Sequence, residues 1–352
     1  MRTLIIPCAG KSSRFPNMKP KWMLTHPDGK LMIEKALGGL DIDSFDRIII
    51  TIVKYHAEKY EADVILSQVF KDVPKVELCI LDDFTSSASE TIYSTINEMD
   101  IKGSFVVKDS DNNVGVELPD NISNSIVGYD LYKHPDVSNI PSKSFLIVNK
   151  QGIIDDIIEK RVVSNIICLG VYLFEDAEIF KYAYEDLLSK NISGELYVSH
   201  IISYILSKKN KSFLYIEAND YEDWGTISEW EQVQNQYRTY FCDIDGVLLK
   251  NCGKYGKKNW YNNEEIIPEN MQTIKNLQDG GAQIVITTSR PEELRAPLEK
   301  ILNENGIYPY AIIMGLNHAA RVVINDFAPT NPYPSCIAIS FPRNAGLVEY
   351  IK

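Results

Sequence analysis

Thr3-Leu-Ile-Ile-Pro7 runs without a break into Cys8-Ala-Gly-Lys-Ser-Ser-Arg-Phe-Pro-Asn-Met-Lys-Pro-Lys21, and the reading of this stretch decides the fold. The apolar run, bounded by proline and small residues, reads as a buried strand. The loop that follows is rich in small residues and carries four cations, Lys11, Arg14, Lys19 and Lys21. Backbone N–H groups of such a loop can wrap phosphate oxygens while the cations neutralise them. A Walker A loop is excluded because GxxxxGK[ST] is absent. Taken alone, the loop also reads as a basic surface turn.

Outward from this strand, β-branched runs at 47–53, 75–81 and 104–108 alternate with helical periodicity at 56–69 and 89–99, the βα pattern of a mostly parallel, doubly wound sheet. From 121 to 174 the text changes to strands with few helices (125–131, 144–149, 152–158, 166–174), which predicts an antiparallel insertion. Helices are expected over 176–189, 195–207 and 227–239. A new buried strand at 240–247 then opens a second βα series, which divides the chain into domains 1–238 and 239–352.

The 352 residues hold 36 Lys plus Arg against 48 Asp plus Glu, a formal charge of −12, with 45% hydrophobic and 24% charged residues. That is a soluble globular composition with room for two domains. The acidity repels polyanions and argues against nucleic acid as a partner, while a few placed cations and a divalent metal can still hold small anionic substrates. No apolar run approaches the roughly 18 residues of a membrane span, and the first strand has no leader-like segment before it, so the cytoplasm is the expected compartment. The cysteines (Cys8, Cys79, Cys168, Cys242, Cys252, Cys336) form no metal-binding spacing and read as reduced core or near-core thiols.

Two further patterns carry chemistry. Strand 105–108 ends in Asp109-Ser-Asp111-Asn112, which puts carboxylates at a strand's C-terminal end, where ligands of open α/β sheets collect and where hard oxygens suit Mg²⁺ on a triphosphate. Phe241-Cys-Asp243-Ile-Asp245-Gly246 delivers two more carboxylates, spaced so that one can attack a phosphoryl group and the other serve as general acid and base.

The first loop resembles the AGxGxR…PK loop of the sugar-phosphate nucleotidyltransferases, with Ala9, Gly10, Arg14, Pro20 and Lys21 in place and Ser12 where that family has its second glycine. The resemblance implies nucleotide contacts from Ala9, Gly10, Lys11, Ser12 and Ser13, and catalytic roles for Arg14 and Lys21 on the triphosphate. Thr85-Ser-Ser-Ala-Ser-Glu-Thr91 resembles the segment that meets base and ribose, which implicates Ser87, Ala88 and Glu90; a plain capping box is the competing reading. By the same resemblance, Mg²⁺ falls to Asp111, in preference to Asp109, and to Asp223 of Asp223-Trp-Gly-Thr226. Lys160 of the Glu159-Lys160 pair and Glu195 of Gly194-Glu-Leu-Tyr197 are implied on the acceptor. A solvated ion pair is the bland alternative for Lys160.

The second half resembles the haloacid dehalogenase superfamily of phosphatases. That resemblance makes Asp243 and Asp245 catalytic, places Thr288 on the phosphoryl oxygen with Thr287 as fallback, and assigns Mg²⁺ to Asp243 and to Asp326 at the end of an expected strand 321–326. The family's third-motif lysine has no counterpart; Arg295, Lys300 and Arg321 are the cations at hand, unranked. Only 250–268 separates the first motif from the next helix, too little for a large cap. In that stretch Lys254, Lys257, Lys258 and Trp260 could recruit an anion, although a solvated charged loop is the simpler reading.

The two resemblances together imply a Rossmann-like nucleotidyltransferase domain with an antiparallel insertion, followed by a small α/β dehalogenase-like domain. The expected reaction joins an NTP to a sugar or polyol phosphate with release of pyrophosphate, Mg²⁺ as cofactor, and a phosphatase acting in the same pathway, as in precursor synthesis for surface polysaccharides. The short serine-rich loop resembles that of cytidylyltransferases and points first to CTP, with GTP and UTP open. Oligomeric state, including a homo-oligomer, is left open. The alternative is a glycosyltransferase that uses Asp109-Ser-Asp111 as its DxD motif, joined to a catalytically silent binding or dimerisation module.

Overall fold

The computed structural model describes residues 1–351 apart from 136, 138, 191–193, 210, 252–259, 261–264 and 327–334. The chain divides into two compact units, Met1–Trp230 and Glu231–Lys352.

The first unit is built on one nine-stranded sheet. Its parallel half comprises β1 (Thr3–Pro7), β2 (Arg47–Val53), β3 (Val76–Leu81) and β4 (Phe105–Lys108). The short β5 (Asn112–Gly115) lies outside it. Then come β6 (Ser125–Asp130), β7 (Ser144–Val148), β8 (Ile153–Glu159), β9 (Ile166–Phe174) and β10 (Phe213–Glu217), and the sheet order is β3-β2-β1-β4-β9-β6-β10-β8-β7. The segment expected as an antiparallel insertion continues this same sheet. β9 pairs antiparallel to β4 and carries the same sheet onward. β5 pairs separately with β11 (Asp220–Asp223).

Strand periodicity divides the core between the two faces of this sheet. Leu4, Ile6, Ile48 and Ile50 point into one cluster, while Ile5, Ile49, Phe105 and Val107 point into the other. Each of these side chains is fully buried, worth about 1.5–3 kcal/mol apiece in transfer free energy. The covering helices are α1 (Met32–Leu37), α2 (Lys54–Tyr60), α3 (Ala62–Val69), α4 (Ala88–Glu98), α5 (Ala177–Ser189) and α6 (Val198–Lys209), and the unit ends in α7 (Ile227–Gln236), within which the division falls. The single helix expected over 56–69 is broken at Glu61, whose φ of 52° ends α2 and starts α3. The helix expected from 195 begins only at Val198, after Gly194 with its φ of 97°.

The second unit has a parallel sheet of β12 (Thr239–Asp243), β13 (Gln283–Thr287) and β14 (Ala311–Ile313), in that order. α8 (Pro268–Asp279), with proline at its first position, and α9 (Arg295–Glu304) contribute Met271, Ile274, Leu298 and Leu302 to a core with Ile284 and Ile286. Two expectations are corrected here. β12 was expected buried, yet it pairs only with β13 among the described strands, and Phe241 is 62% exposed. Residues 321–326 form no strand, and Val322, Val323 and Ile324 lie exposed. A β-branched run becomes a strand only with a partner edge, and here Arg321 folds back to donate to the Asn317 and Ala319 carbonyls, both at 2.8 Å.

Candidate active site

In the first unit β1 lies between β2 and β4, parallel to both, so the chain connections diverge between β1 and β4 and leave a crevice at the strands' carboxyl ends. The cationic loop leaves β1 at this edge. Cys8 and Ala9 are buried at its root, the Ala9 carbonyl accepts from Thr85 N (3.2 Å), and Gly10 bridges Thr85. Phe15 and Trp22, both buried, pin the loop to the core, while Lys11, Ser13 and Arg14 remain exposed. Ser12 has a φ of 48°, the left-handed region that favours glycine, and its hydroxyl accepts from Lys21 N at 3.3 Å. The position where a glycine is expected therefore does have a glycine-like backbone.

β4 delivers the acidic turn beside this loop. Lys108 is fully buried, and its ammonium donates to the Asp109 carbonyl (2.6 Å), the Asn112 carbonyl (2.8 Å) and the Asn112 side chain. Burial pulls this ammonium down to about 8. The Asp109 carboxyl fills the space that a Cβ at Gly170 would take, and burial together with the Asp111 charge pushes it up to about 7. Asp111 behaves differently: burial works to raise it, but Lys21, Lys108 and Arg14 outweigh burial and hold it below the usual carboxylate range. Asp111 and Lys21 form an ion pair.

β11 brings Asp223 to the same place, opposite Asn112 in the ladder. Asp111 and Asp223 each lie about 3 Å from where a Gly225 Cβ would stand, so their nearest oxygens are within about 6 Å of each other. Asp223 in turn pairs with Lys143, whose ammonium is also 3.6 Å from Glu229 and 3.2 Å from the Tyr221 hydroxyl. Glu229 and Thr226 make a reciprocal cap at the start of α7: Thr226 N donates to Glu229 Oε2 at 2.9 Å and Glu229 N to Thr226 Oγ1 at 3.4 Å. Trp224 is fully buried and its backbone N–H donates to the Asp111 carbonyl at 2.9 Å, which ties the two acidic segments together.

The remaining positions of the first unit are less convergent. The Ser87 hydroxyl caps α4 by accepting from Glu90 N (3.1 Å), and the Glu90 carboxylate accepts from Ser86 N (2.6 Å). Both side chains thus serve the helix start, with Ala88 beside them as its first residue. Lys160 lies just beyond β8 with a φ of 51°; its ammonium sits 4.0 Å over the Tyr197 ring and donates to the Tyr197 hydroxyl, and its N–H reaches the Lys143 carbonyl at 3.1 Å. Glu195 is exposed two residues before Tyr197.

In the second unit Asp243 ends β12 in register with Thr287. Its carboxyl is raised by desolvation and by Asp245, against the pull of the Ile244 N–H, Arg321 and Arg290. Three positions differ from expectation. Asp245 gives both oxygens to the buried Arg290, with Nε at 3.0 Å and Nη2 at 2.7 Å. Thr288 is 1% exposed, and its hydroxyl accepts from Arg290 N at 3.1 Å, because the chain turns tightly there to place Arg290. Asp326 is exposed and outside any strand, and among the described residues it belongs to no group of three such side chains. Of the unranked cations, Arg321 bears on Asp243, whereas Arg295 pairs with Glu292 and Glu299 and Lys300 with Glu304. Trp260 stacks on His318 at 5.6 Å, while Cys252, Lys254, Lys257 and Lys258 lie outside the described residues. Cys336 is exposed, unlike the four buried thiols.

Lys108, Lys143, Glu229 and Arg290 were missed at the level of sequence. Lys108 had a readable signal, since a lysine at the end of a strand buried on both faces must find carbonyl partners. Arg290 had one too, because it lies three residues beyond the strand end aligned with Asp243. Lys143 and Glu229 belong to no motif. In the first unit the donor set fits Mg²⁺: two close carboxylates suit an ion that keeps water and takes its other ligands from phosphates. Among the described residues no three of His, Cys, Asp and Glu converge. For the second unit the structure gives no such close pair of free carboxylates: Asp245 gives both oxygens to Arg290, and Asp326 lies exposed outside any strand.

Residues 240–317 match the family model of the haloacid dehalogenase-like hydrolases. No curated protein matches the chain. Among solved structures, the nucleoside-diphosphate-sugar pyrophosphorylase from Vibrio cholerae RC9 is 19% identical with a TM-score of 0.53, over 65% of this chain and 98% of that one. A Bacillus anthracis structure assigned as a glucose-1-phosphate thymidylyltransferase is 18% identical with a TM-score of 0.51, over 66% and 94%. A UDP-glucose pyrophosphorylase complexed with UDP-glucose is 14% identical with a TM-score of 0.51, over 67% and 97%. At such identities the likeness is one of fold. The N-terminal part of the chain therefore has the Rossmann-like fold of the sugar nucleotidyltransferases, and the C-terminal part carries a haloacid dehalogenase-like domain.

Proposed function

We propose that the N-terminal unit transfers a nucleotidyl group from an NTP, CTP first, to a sugar or polyol phosphate. The observation that carries this reading is the meeting of the Lys21 loop with Asp111 and Asp223 at the carboxyl edge of β1 and β4. A phosphate oxygen of the acceptor attacks the α-phosphorus, the bond from that phosphorus to the bridging oxygen breaks, and pyrophosphate leaves with the electron pair. Loop N–H groups at Ala9 to Ser13 hold the triphosphate, while Lys21 and Arg14 balance its charge. Lys160 orients the acceptor phosphate and Glu195 its hydroxyls. Bound Mg²⁺, held by Asp111 and Asp223, would neutralise phosphate charge.

The C-terminal unit is proposed to act on a phosphate ester of the same pathway, with Asp243 as nucleophile; surface-polysaccharide precursors are the proposed setting. The Asp245–Arg290 pair favours a second reading, a phosphate-binding module without turnover. The test is pyrophosphate release from CTP, GTP, UTP and ATP with Mg²⁺ and a panel of sugar and polyol phosphates, with free phosphate followed in parallel. Release with one NTP and one acceptor is the expected result, and Lys21→Ala is expected to lower turnover by roughly 10²-fold. If every pair is silent while a nucleotide-sugar is consumed, the glycosyltransferase reading replaces this one. Free phosphate that disappears in Asp243→Asn would remove the silent-module reading.

A further inference from the structure

The two carboxylates that suit a metal are already occupied by this chain's own cations. Asp111 is paired with Lys21, and Asp223 with Lys143, whose ammonium also faces Glu229 at 3.6 Å and the Tyr221 hydroxyl at 3.2 Å. The Lys143 side chain is only 11% exposed, and its main chain is tied to Lys160 by the 3.1 Å bond from Lys160 N to the Lys143 carbonyl. The fully buried Lys108 lies next in sequence to the same acidic turn. A free divalent cation approaching Asp111 and Asp223 therefore meets two ammonium groups and must displace both from their carboxylates, leaving Lys143 with Glu229 alone. Mg²⁺ also gives up its water reluctantly and gains little from two carboxylates alone. A triphosphate changes that balance, because its oxygens give the displaced ammonium groups new partners and supply the remaining metal ligands.

We propose that Lys143, together with Lys21, closes the site to free divalent metal, so that the ion enters only in company with the nucleotide's phosphates. Lys143 is then a positioning residue with two partners in turn: Asp223 in the free protein and a phosphate oxygen in the loaded one. This rests on the nucleotidyltransferase reading for the identity of the phosphates, but its test uses metal alone and needs no turnover.

The experiment is a titration of the full-length chain with Mn²⁺ in the absence of nucleotide, following free Mn²⁺ by electron paramagnetic resonance. The wild type is expected to bind no more tightly than about millimolar. Lys143→Met, which leaves Asp223 and Glu229 without their ammonium, is expected to bind at least about 10-fold more tightly, and Lys143→Met with Asp223→Asn to lose that gain. Lys143→Arg keeps the charge and is expected to match the wild type. Should Lys143→Met fail to fold, Lys21→Met makes the same test at Asp111 and is expected to show the same gain. The proposal is overturned if the wild type binds Mn²⁺ in the micromolar range and loses it in Asp223→Asn, or if neither methionine variant tightens binding. Tighter metal binding in the variants combined with no pyrophosphate from any NTP would uphold the charge closure and sink the transferase reading instead.

Discussion

His56 shows how one buried residue can couple the cationic loop to solution conditions. It lies 3% exposed among Trp22, Tyr55, Tyr60 and Phe84, with ring centroids 5.3 Å from Phe84 and 5.8 Å from Trp22. Burial lowers its pKa to about 4. The folded protein thus resists a proton that the unfolded chain accepts from about pH 6.5 downward, and the stability that neutral His56 contributes is intact above that pH and lost as pH falls toward 4. The urea midpoint is expected to drop across this window, and His56→Phe should flatten that part of the profile. An unchanged profile in the variant would free His56 of the effect. Because Trp22 anchors the loop that carries Lys21, the same acidification should loosen the loop before the rest of the unit. At this scale the sequence was partly legible. Asp111 and Lys21 could be named because each sits in a local motif, whereas Lys143 reaches Asp223 from the turn before β7, 80 positions away, and no spacing rule connects them.

Among the elements, those with an unambiguous period were readable to within a residue or two. β2 and β9 occupy the expected 47–53 and 166–174, since long β-branched runs buried on both faces leave little freedom in placing a strand. The failures occurred where tertiary context decides. Residues 321–326 have strand composition but no partner strand among the described residues, and β12 ends at Asp243, short of the expected 247, with the exposure of an edge. The turn between β13 and α9 was also legible only in part, because a serine and an arginine after two threonines do not announce which carboxylate the arginine will meet. Its meeting with Asp245 is testable. Arg290→Met leaves a carboxylate that is 17% exposed without its bidentate partner, and is expected to destabilise the second unit by roughly 3 kcal/mol. Adding Asp245→Asn should restore most of that loss, as read in a double-mutant cycle of urea unfolding; a double variant no more stable than the single would mean that the pair is not the source.

For the whole molecule, the charge is unevenly distributed. Residues 239–352 hold 11 Lys plus Arg against 12 Asp plus Glu, so nearly all of the formal −12 belongs to residues 1–238. An acidic body around a cationic loop favours an anionic substrate that arrives with its countercation, in keeping with metal entering on the nucleotide. Each unit also has its own core: the two clusters of the first draw on residues from Leu4 to Ala218, and that of the second on residues from Cys242 to Leu347. We therefore propose 1–238 and 239–352 as separable domains, and α7 makes the choice of cut a sharp test. Its first turn supplies Glu229 to Lys143, and the buried Trp230 lies 6.3 Å from the His26 ring, so a cut before the helix removes an anion of the site and part of its packing. The fragment 1–238 is expected to unfold cooperatively and to release pyrophosphate within about 3-fold of the full chain, whereas 1–225 should lose at least about 10-fold, since the Lys143 ammonium keeps Asp223 but not Glu229. A folded but inactive 1–238 would show that the second unit contributes to the first unit's chemistry, and equal activity in 1–225 would remove Glu229 and α7 from the site.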